Sequence, residues 1–179
     1  MHLIIKTIGV FILIGGLFSG CATLSPGLYP ISVDNNQVLK QFYGKKVMLT
    51  KLELAVPYDS MCRAFGPIQF KEELTIAQFI QQAFNDEFKV ANIFSDREGI
   101  RLTGTVDDIG FSSMEAWWDI AITLRSISGR TIHAKNRYDF ESHYNPEIAC
   151  HDTARTLGPA VQALIHKIIT DPGFALLLE

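Results

Sequence analysis

The stretch IRLTGTVDDIGFSSMEAWWDIAITLRSISGRTIHAKNRYDFE, residues 100–141, decides the fold of this 179-residue chain. Apolar and polar side chains alternate along most of it, which predicts β-strands with one buried and one solvated face. The alternation slips at Asp107-Asp108, where we expect a β-bulge. Ser128-Gly129 predicts a tight hairpin turn between the last two strands. The predicted strands are 100–111, 117–125 and 131–141.

A further strand and a helix are predicted upstream of this stretch. Residues 47–56 are apolar, alternate in their second half and end at Pro57, which is typical of a strand. Thr75 and Gln78 form a capping-box pattern ahead of an apolar periodicity. We therefore expect an amphipathic helix with a buried, phenylalanine-rich stripe. Its members are Ile76, Phe79, Ile80, Ala83, Phe84 and Phe88.

A second long helix is predicted near the C-terminus. Residues 143–151 are expected to form a loop, after which Asp152 or Thr153 can cap a helix. Pro159 lies inside the apolar periodicity, so the helix either begins near this proline or kinks there. Residues 171–173, Asp-Pro-Gly, end it.

The predicted order, β-α-β-β-β-α, gives an α+β fold. We expect a four-stranded, mostly antiparallel sheet with two helices packed on one face. The other face then meets water or a partner, and its candidate partner residues are Trp117, Arg125, His133, Lys135 and Arg137. For Trp117 the alternative is that it packs beneath the loop at 112–115.

The N-terminus has the pattern of a secretory signal: a short cationic head, an apolar run and small residues. Residues 17–21, Leu-Phe-Ser-Gly-Cys, are similar to a bacterial lipobox with Phe18 in place of the usual leucine. We expect residues 1–20 to be a signal peptide, 21–44 a lipidated tether and 45–179 one periplasmic domain. Alternatives are a plain cleaved signal and a transmembrane helix, although a span needs roughly 20 apolar residues and Lys6 interrupts this run.

The lipobox and the element order together resemble small Gram-negative envelope lipoproteins of the YajG type. They are also similar to auxiliary lipoproteins of ABC transport systems and to the N-terminal domain of TolB. The short strings that carry this resemblance are Trp118-Asp119-Ile120, Ser128-Gly129, Ala149-Cys150, Pro159-Ala160-Val161 and Asp171-Pro172-Gly173-Phe174. The resemblance implies a membrane anchor through acyl chains on Cys21. Ala22 after the cysteine implies the periplasmic side of the outer membrane, and no reaction is implied.

Composition narrows the choice of partners. The net charge is −3, and removal of Lys6 with the signal would make it one unit more negative. Such a chain has neither the basic footprint of a nucleic-acid-binding protein nor a polybasic cluster for anionic lipids. Cys62 and Cys150 remain as an even pair in a compartment that permits disulfides. We expect them to form a disulfide; the alternative is two free, buried thiols.

No cluster of residues in the sequence indicates a particular reaction. We therefore expect a non-catalytic binding or accessory subunit of the cell envelope, without cofactor or metal. A metal-dependent or hydrolytic enzyme is the main alternative. Its zinc-type ligands would come from the span Glu141 to His151, whose candidates are Glu141, His143, Glu147, Cys150 and His151. A carrier of lipids or small molecules is the third possibility, and it would need an apolar cavity between sheet and helices.

Overall fold

The computed structural model describes residues 23–71 and 74–179. The described residues form, in chain order, α1 (Val33–Leu39), β1 (Val47–Leu54), α2 (Ile76–Val90), β2 (Ile100–Ser112), β3 (Trp117–Ser126), β4 (Thr131–Asp139), α3 (Pro146–Ile169) and α4 (Pro172–Leu177), with a 3-10 turn at Lys40–Phe42 directly after α1. The α+β prediction is confirmed. The predicted signal peptide and Cys21 lie outside the described residues.

The four strands form one open sheet in the order β1-β2-β3-β4. β1 pairs with β2 in parallel, whereas β2 with β3 and β3 with β4 are antiparallel, so the sheet is mixed and mostly antiparallel. The expected bulge is present: Val106 pairs with Ile122 but Asp108 pairs with Ala121, which leaves Asp107 as the extra residue. The two edge strands are β1 and β4.

Side chains of α2 occupy the outer edge of β1. Parallel pairing of β1 with β2 requires a crossover, and α2 supplies it. Asn85 donates to Leu49 O at 2.9 Å and accepts from Leu49 N at 3.0 Å. Gln81 bonds the backbone of β1 in the same manner, one helical turn earlier. These amides satisfy backbone groups that a neighbouring strand would otherwise satisfy.

The long helices α2 and α3 cover one face of the sheet, as predicted. Phe84 of α2, Leu164 of α3 and Trp118 of β3 are all fully buried in a single apolar cluster. The indole Nε1 of Trp118 donates to Thr153 O of α3 at 2.9 Å. Because a buried indole N–H needs an acceptor, this bond fixes where α3 lies on the sheet.

The predicted start of the second long helix is wrong. α3 begins at Pro146 and not near Asp152 or Pro159, because Asn145 caps it: the Asn145 side chain accepts from the N–H groups of Glu147 and Ile148. Pro159 lies inside the helix. The apolar stripe is buried on both sides of this proline, and this burial offsets the one helical hydrogen bond that proline cannot make.

The described part of the predicted tether, residues 23–44, contains a helix and core residues and so differs from the expected tether. Val33–Leu39 is a helix, with Ser32 as its N-cap. Leu24 and Leu39 are buried in the core, and the ring of Phe42 packs 5.2 Å from that of Phe174 in α4. Residues 24–42 are therefore an integral layer of the domain.

A candidate binding surface on the open sheet face

The sheet face opposite α2 and α3, called the open face below, carries no helix of the described residues. Apart from the buried Ala121, its side chains are exposed or half-buried and mostly polar. They include every residue of the predicted partner surface. The open face consists of Lys51, Glu53, Thr103, Thr105, Asp107, Asp108, Trp117, Asp119, Ala121, Thr123, Arg125, His133, Lys135 and Arg137.

A hydrogen-bonded network around Asp107 occupies the centre of the open face. Asp107 continues the outward alternation of Thr103 and Thr105. Its Oδ1 accepts from Thr105 Oγ1 at 2.5 Å and its Oδ2 accepts from Thr123 Oγ1 at 2.6 Å. His133 Nδ1 lies 3.2 Å from Asp107 Oδ2. The network joins β2, β3 and β4 and so holds these polar side chains in fixed positions.

The surroundings of Asp107 favour its charged form. Burial raises the pKa of Asp107, but the hydrogen bonds from Thr105 and Thr123 and the nearby His133 together bring it below the ordinary aspartate value. Hydrogen bonds to a carboxylate stabilise the ionised state. Asp107 is therefore a fixed negative charge at neutral pH.

Lys135 forms a second group with two aspartates. Its Nζ lies 2.9 Å from Asp119 Oδ2 and 3.4 Å from Asp108 Oδ2. The hydrogen bonds to Asp119 and then to Asp108 raise the pKa of Lys135. The other oxygen, Asp119 Oδ1, is buried without a hydrogen-bond partner among the described residues.

Trp117 lies on the open face near the end where β2 joins β3. The guanidinium carbon of Arg137 stands 4.7 Å from the centre of its ring, a cation–π geometry. The indole Nε1 donates to Glu115 Oε2 at 2.8 Å, and Arg137 Nε donates to Asp139 Oδ1 at 3.0 Å. Trp117 thus lies on the open face and also contacts Glu115 of the 112–115 connection.

The rest of the open face is a shallow depression of about 180 Å³. Lys51 and Glu53 form an exposed ion pair of 2.8 Å at one side of it. Arg125, at the other side, has no ion-pair partner among the described residues. Neighbouring charges of both signs give the open face little net field, so it suits polar contacts of matched shape better than long-range attraction of one ion.

The predicted disulfide between Cys62 and Cys150 is present, with an S–S distance of 2.06 Å and a Cα–Cα distance of 5.8 Å. Cys62 is in a loop as expected, but Cys150 lies in the second turn of α3. The bridge ties the short hairpin at 60–68 to this helix. An 88-residue separation between the cysteines makes the cross-link a strong constraint on the unfolded chain.

The alternative metal site does not assemble around Cys150. The disulfide removes the thiolate, and His143 Nε2 instead lies 3.4 Å from Asp152 Oδ2. Arg155 forms a close ion pair with the same aspartate. Within residues 23–71 and 74–179, no group of three or more His, Cys, Asp or Glu side chains could hold a metal ion.

The phenylalanines that could line a carrier cavity are packed inside the core. Phe84 and Phe88 are fully buried, with ring centres 6.1 Å apart. Phe79 instead borders a surface groove of about 290 Å³ between α2 and the N-terminal segment, with Tyr29 and Phe70. A carrier would have to use this outer groove.

A second polar cluster was not predicted from the sequence. Glu87 on α2 is 0 % exposed, and its Oε1 accepts from the Tyr29 hydroxyl at 2.8 Å, from Ser32 N at 2.9 Å and from Asn35 Nδ2 at 3.4 Å. Burial, and then the Glu87 carboxylate, raise the pKa of Tyr29. A further hydrogen bond of 3.0 Å joins Asn35 Oδ1 to His166 Nδ1 on α3.

This Glu87 cluster fastens the N-terminal segment to α2 and α3. A signal for it was present: Glu87 stands seven residues after Ile80 and three after Phe84, within the apolar stripe. A charged residue in such a stripe indicates a buried polar partner. The sequence could not say which of the distant polar residues provides it.

Comparison with known proteins does not assign this chain to a family. Neither a scan against protein-family models nor a search of curated proteins finds a match to it. Within the described part of the chain, no helix has both the length and the apolar character that a membrane crossing requires.

Proposed function

We propose that this chain is a YajG-type lipoprotein, anchored by acyl chains on Cys21 to the periplasmic side of the outer membrane. Its domain serves there as a non-catalytic binding or accessory subunit for an envelope protein. The lipobox at 17–21 supports the anchor. The disulfide between Cys62 and Cys150 supports an oxidising compartment, since such bridges are rare in the cytosol.

The observation that carries the binding role is the open face itself. One side of the sheet is covered by two long helices, while the other presents aligned side chains that are already held by hydrogen bonds, as in the Asp107 network. When a partner binds such a surface, few side chains of the open face lose additional conformational freedom. The entropic cost of association is therefore lower. Trp117 and Arg137 supply the residue types that are enriched at protein interfaces.

A photo-crosslinking amino acid placed on the open face in intact cells tests the binding role. We expect Arg125, when replaced by the crosslinker, to give a discrete adduct with one envelope protein. The matched control is Gln82, an exposed residue on α2 at the opposite side of the sheet. Adducts that are equal at both positions, or absent at Arg125, contradict the proposal.

Two charge reversals sharpen this experiment. Lys135→Glu and Arg137→Glu change the open face without touching the core, because both side chains are exposed. We expect either substitution to weaken the Arg125 adduct. Each also sets a glutamate beside existing carboxylates, Asp108 and Asp119 for Lys135 and Asp139 for Arg137, so the free energy of unfolding is measured in parallel and only folded variants are compared. The anchor is tested separately by the mass of the N-terminal peptide, which must begin at Cys21 and carry lipid.

A further inference from the structure

The chain enters the domain beside the disulfide. Leu24 forms a parallel bridge with Ile68, and Gln69 N donates to Leu24 O at 2.8 Å. The hairpin at 60–68 is closed by an antiparallel bridge between Met61 and Pro67. Because the pairing with Ile68 is parallel, the chain before Leu24 is directed toward Pro67 and thus toward the tip of this hairpin.

The distance from this entry point to Cys21 is short. Thr23 is exposed and belongs to the described residues, and Cys21 precedes it by two positions. Two residues of fully extended chain span at most about 7 Å. A lipid on Cys21 would therefore keep the hairpin tip at the membrane surface.

The same end of the domain exposes apolar side chains from three connections. Met61 and Phe65 belong to the hairpin, Met114 to the turn between β2 and β3, and Tyr144 and Ile148 to the start of α3. These five residues are called the end surface. Met114 is 76 % exposed and Tyr144 is fully exposed. Exposed apolar side chains that cluster in this way mark a surface for contact with a membrane or another molecule.

Hydrogen bonds join the three connections into one surface. Arg63 Nε, at the hairpin tip, donates to Ser113 Oγ at 2.9 Å, and Ser142 Oγ donates to Ser113 O at 3.0 Å. The disulfide holds the hairpin against α3. Hence the end surface is a rigid platform, and the chain that would carry the lipid emerges from it.

We propose that the end surface rests on the lipid bilayer, with its apolar side chains in the interfacial layer. This inference rests on the proposed lipid anchor at Cys21. The three connections that form this end carry the acidic side chains Glu115, Glu141 and Glu147 and the cation Arg63, so anionic headgroups offer no advantage. Contact comes from burial of apolar area, which a zwitterionic bilayer provides.

Oxidative footprinting of the full lipidated protein in vesicles of phosphatidylethanolamine and phosphatidylcholine tests this contact. Hydroxyl radicals modify exposed Met and Tyr side chains, so the native residues Met114 and Tyr144 report on the end surface. Tyr43 is the internal control, since it is exposed and lies at the opposite end, four residues before β1.

The comparison protein is a released variant with two changes. A Gly/Ser insertion of about ten residues between Ala22 and Thr23 lengthens the tether by roughly 17 Å. Phe65→Glu places a charge at the hairpin tip. We expect Met114 and Tyr144 to be oxidised several-fold more slowly in the wild-type protein than in the released variant, with Tyr43 equal in both.

Two outcomes overturn the inference, and they are distinguishable. If the N-terminal peptide carries lipid and Met114 and Tyr144 react equally in both proteins, the domain does not rest on the bilayer although the anchor stands. If the N-terminal peptide carries no lipid, the anchor and the membrane contact both fail. Because the vesicles contain no other protein, protection cannot come from a protein partner.

Discussion

The Thr123 hydroxyl of β3 donates to the Asp107 carboxylate of β2 at 2.6 Å, across the bulge that the sequence pattern predicts. Asp107 follows the alternation of Thr103 and Thr105 onto the open face. The bulge adds one residue to β2 and brings Asp108 to the same face, opposite Ala121, where strict alternation would have turned it toward the core. The bulge thus explains why a second carboxylate, Asp108, lies beside Lys135 on the open face.

Acid should weaken the domain through Asp107. A carboxyl whose pKa is lower in the folded chain than in the unfolded chain stabilises the fold at neutral pH, and this contribution is lost below a pH of about 4. We expect Asp107→Asn to be less stable than wild type at neutral pH, with a smaller difference in acid. Urea unfolding across pH measures this, with Asp96→Asn in an exposed turn as the control. A stability difference that stays constant over the acid range contradicts the prediction.

Two glycines on β2 should respond oppositely to alanine. A Cβ on Gly104 would lie 2.5 Å from Thr123 O and 2.8 Å from Leu124 Cδ2, whereas a Cβ on Gly110 would meet only Trp117 Cζ3, at 3.9 Å. Since the ladder fixes the backbone oxygen, we expect Gly104→Ala to cost about 1–3 kcal/mol. Gly110→Ala should be neutral or slightly stabilising. Equal midpoints in urea for the two variants would show that β2 can shift at Gly104.

The disulfide should contribute a large share of the stability. Replacing Cys62 and Cys150 together by alanine removes the cross-link, and the chain-entropy model gives a loss of about 4–5 kcal/mol. Denaturant unfolding under non-reducing conditions measures the loss. Reductant should destabilise the wild-type protein and leave the double variant unchanged. A reductant effect of similar size on both proteins would refute the assignment to this bridge.

Glu87→Ala should loosen the N-terminal segment before the rest of the domain. The substitution leaves the Tyr29 hydroxyl and Ser32 N without their acceptor, at a cost of about 1–3 kcal/mol for each buried group left unpaired, whereas Asn35 Nδ2 keeps its bond to Gln162 O. Hydrogen exchange should accelerate in residues 29–39. The matched control is Glu87→Gln, which keeps an acceptor oxygen and should loosen the segment less. Exchange that accelerates uniformly over the domain would contradict a local fastening role.

The strands of the sheet were predictable because each buries one face. Apolar residues therefore recur at every second position of the sequence, as at Ile120, Ile122 and Leu124. The cysteine pair was predictable from its even number, once Cys21 was set aside, together with the expected oxidising compartment. The start of α3 was missed although Asn145-Pro146 is a recognised helix start. α1 was not predictable, because a seven-residue helix is unstable alone and depends on Glu87, which lies far away in sequence.

For the open face, the sequence placed the right side chains on the right side of the sheet. Alternation alone put His133, Lys135 and Arg137 together on β4. It could not supply the cross-strand partners, because alternation along one strand does not fix its register with the next strand, and because the bulge also brings Asp108 to the open face beside Lys135. Those contacts depend on a shift of one residue, which a pattern locates only approximately.

Side chains engage backbone groups at both edges of the sheet, several on β1 and one on β4. Asn85 and Gln81 bind the outer backbone of β1, and Lys167 donates to the Lys135 carbonyl on β4 at 2.6 Å. A strand with its backbone already engaged, and with cations along it, is a poor template for another copy. Edge-to-edge pairing of neighbouring molecules into fibres is accordingly disfavoured, even at high local concentration.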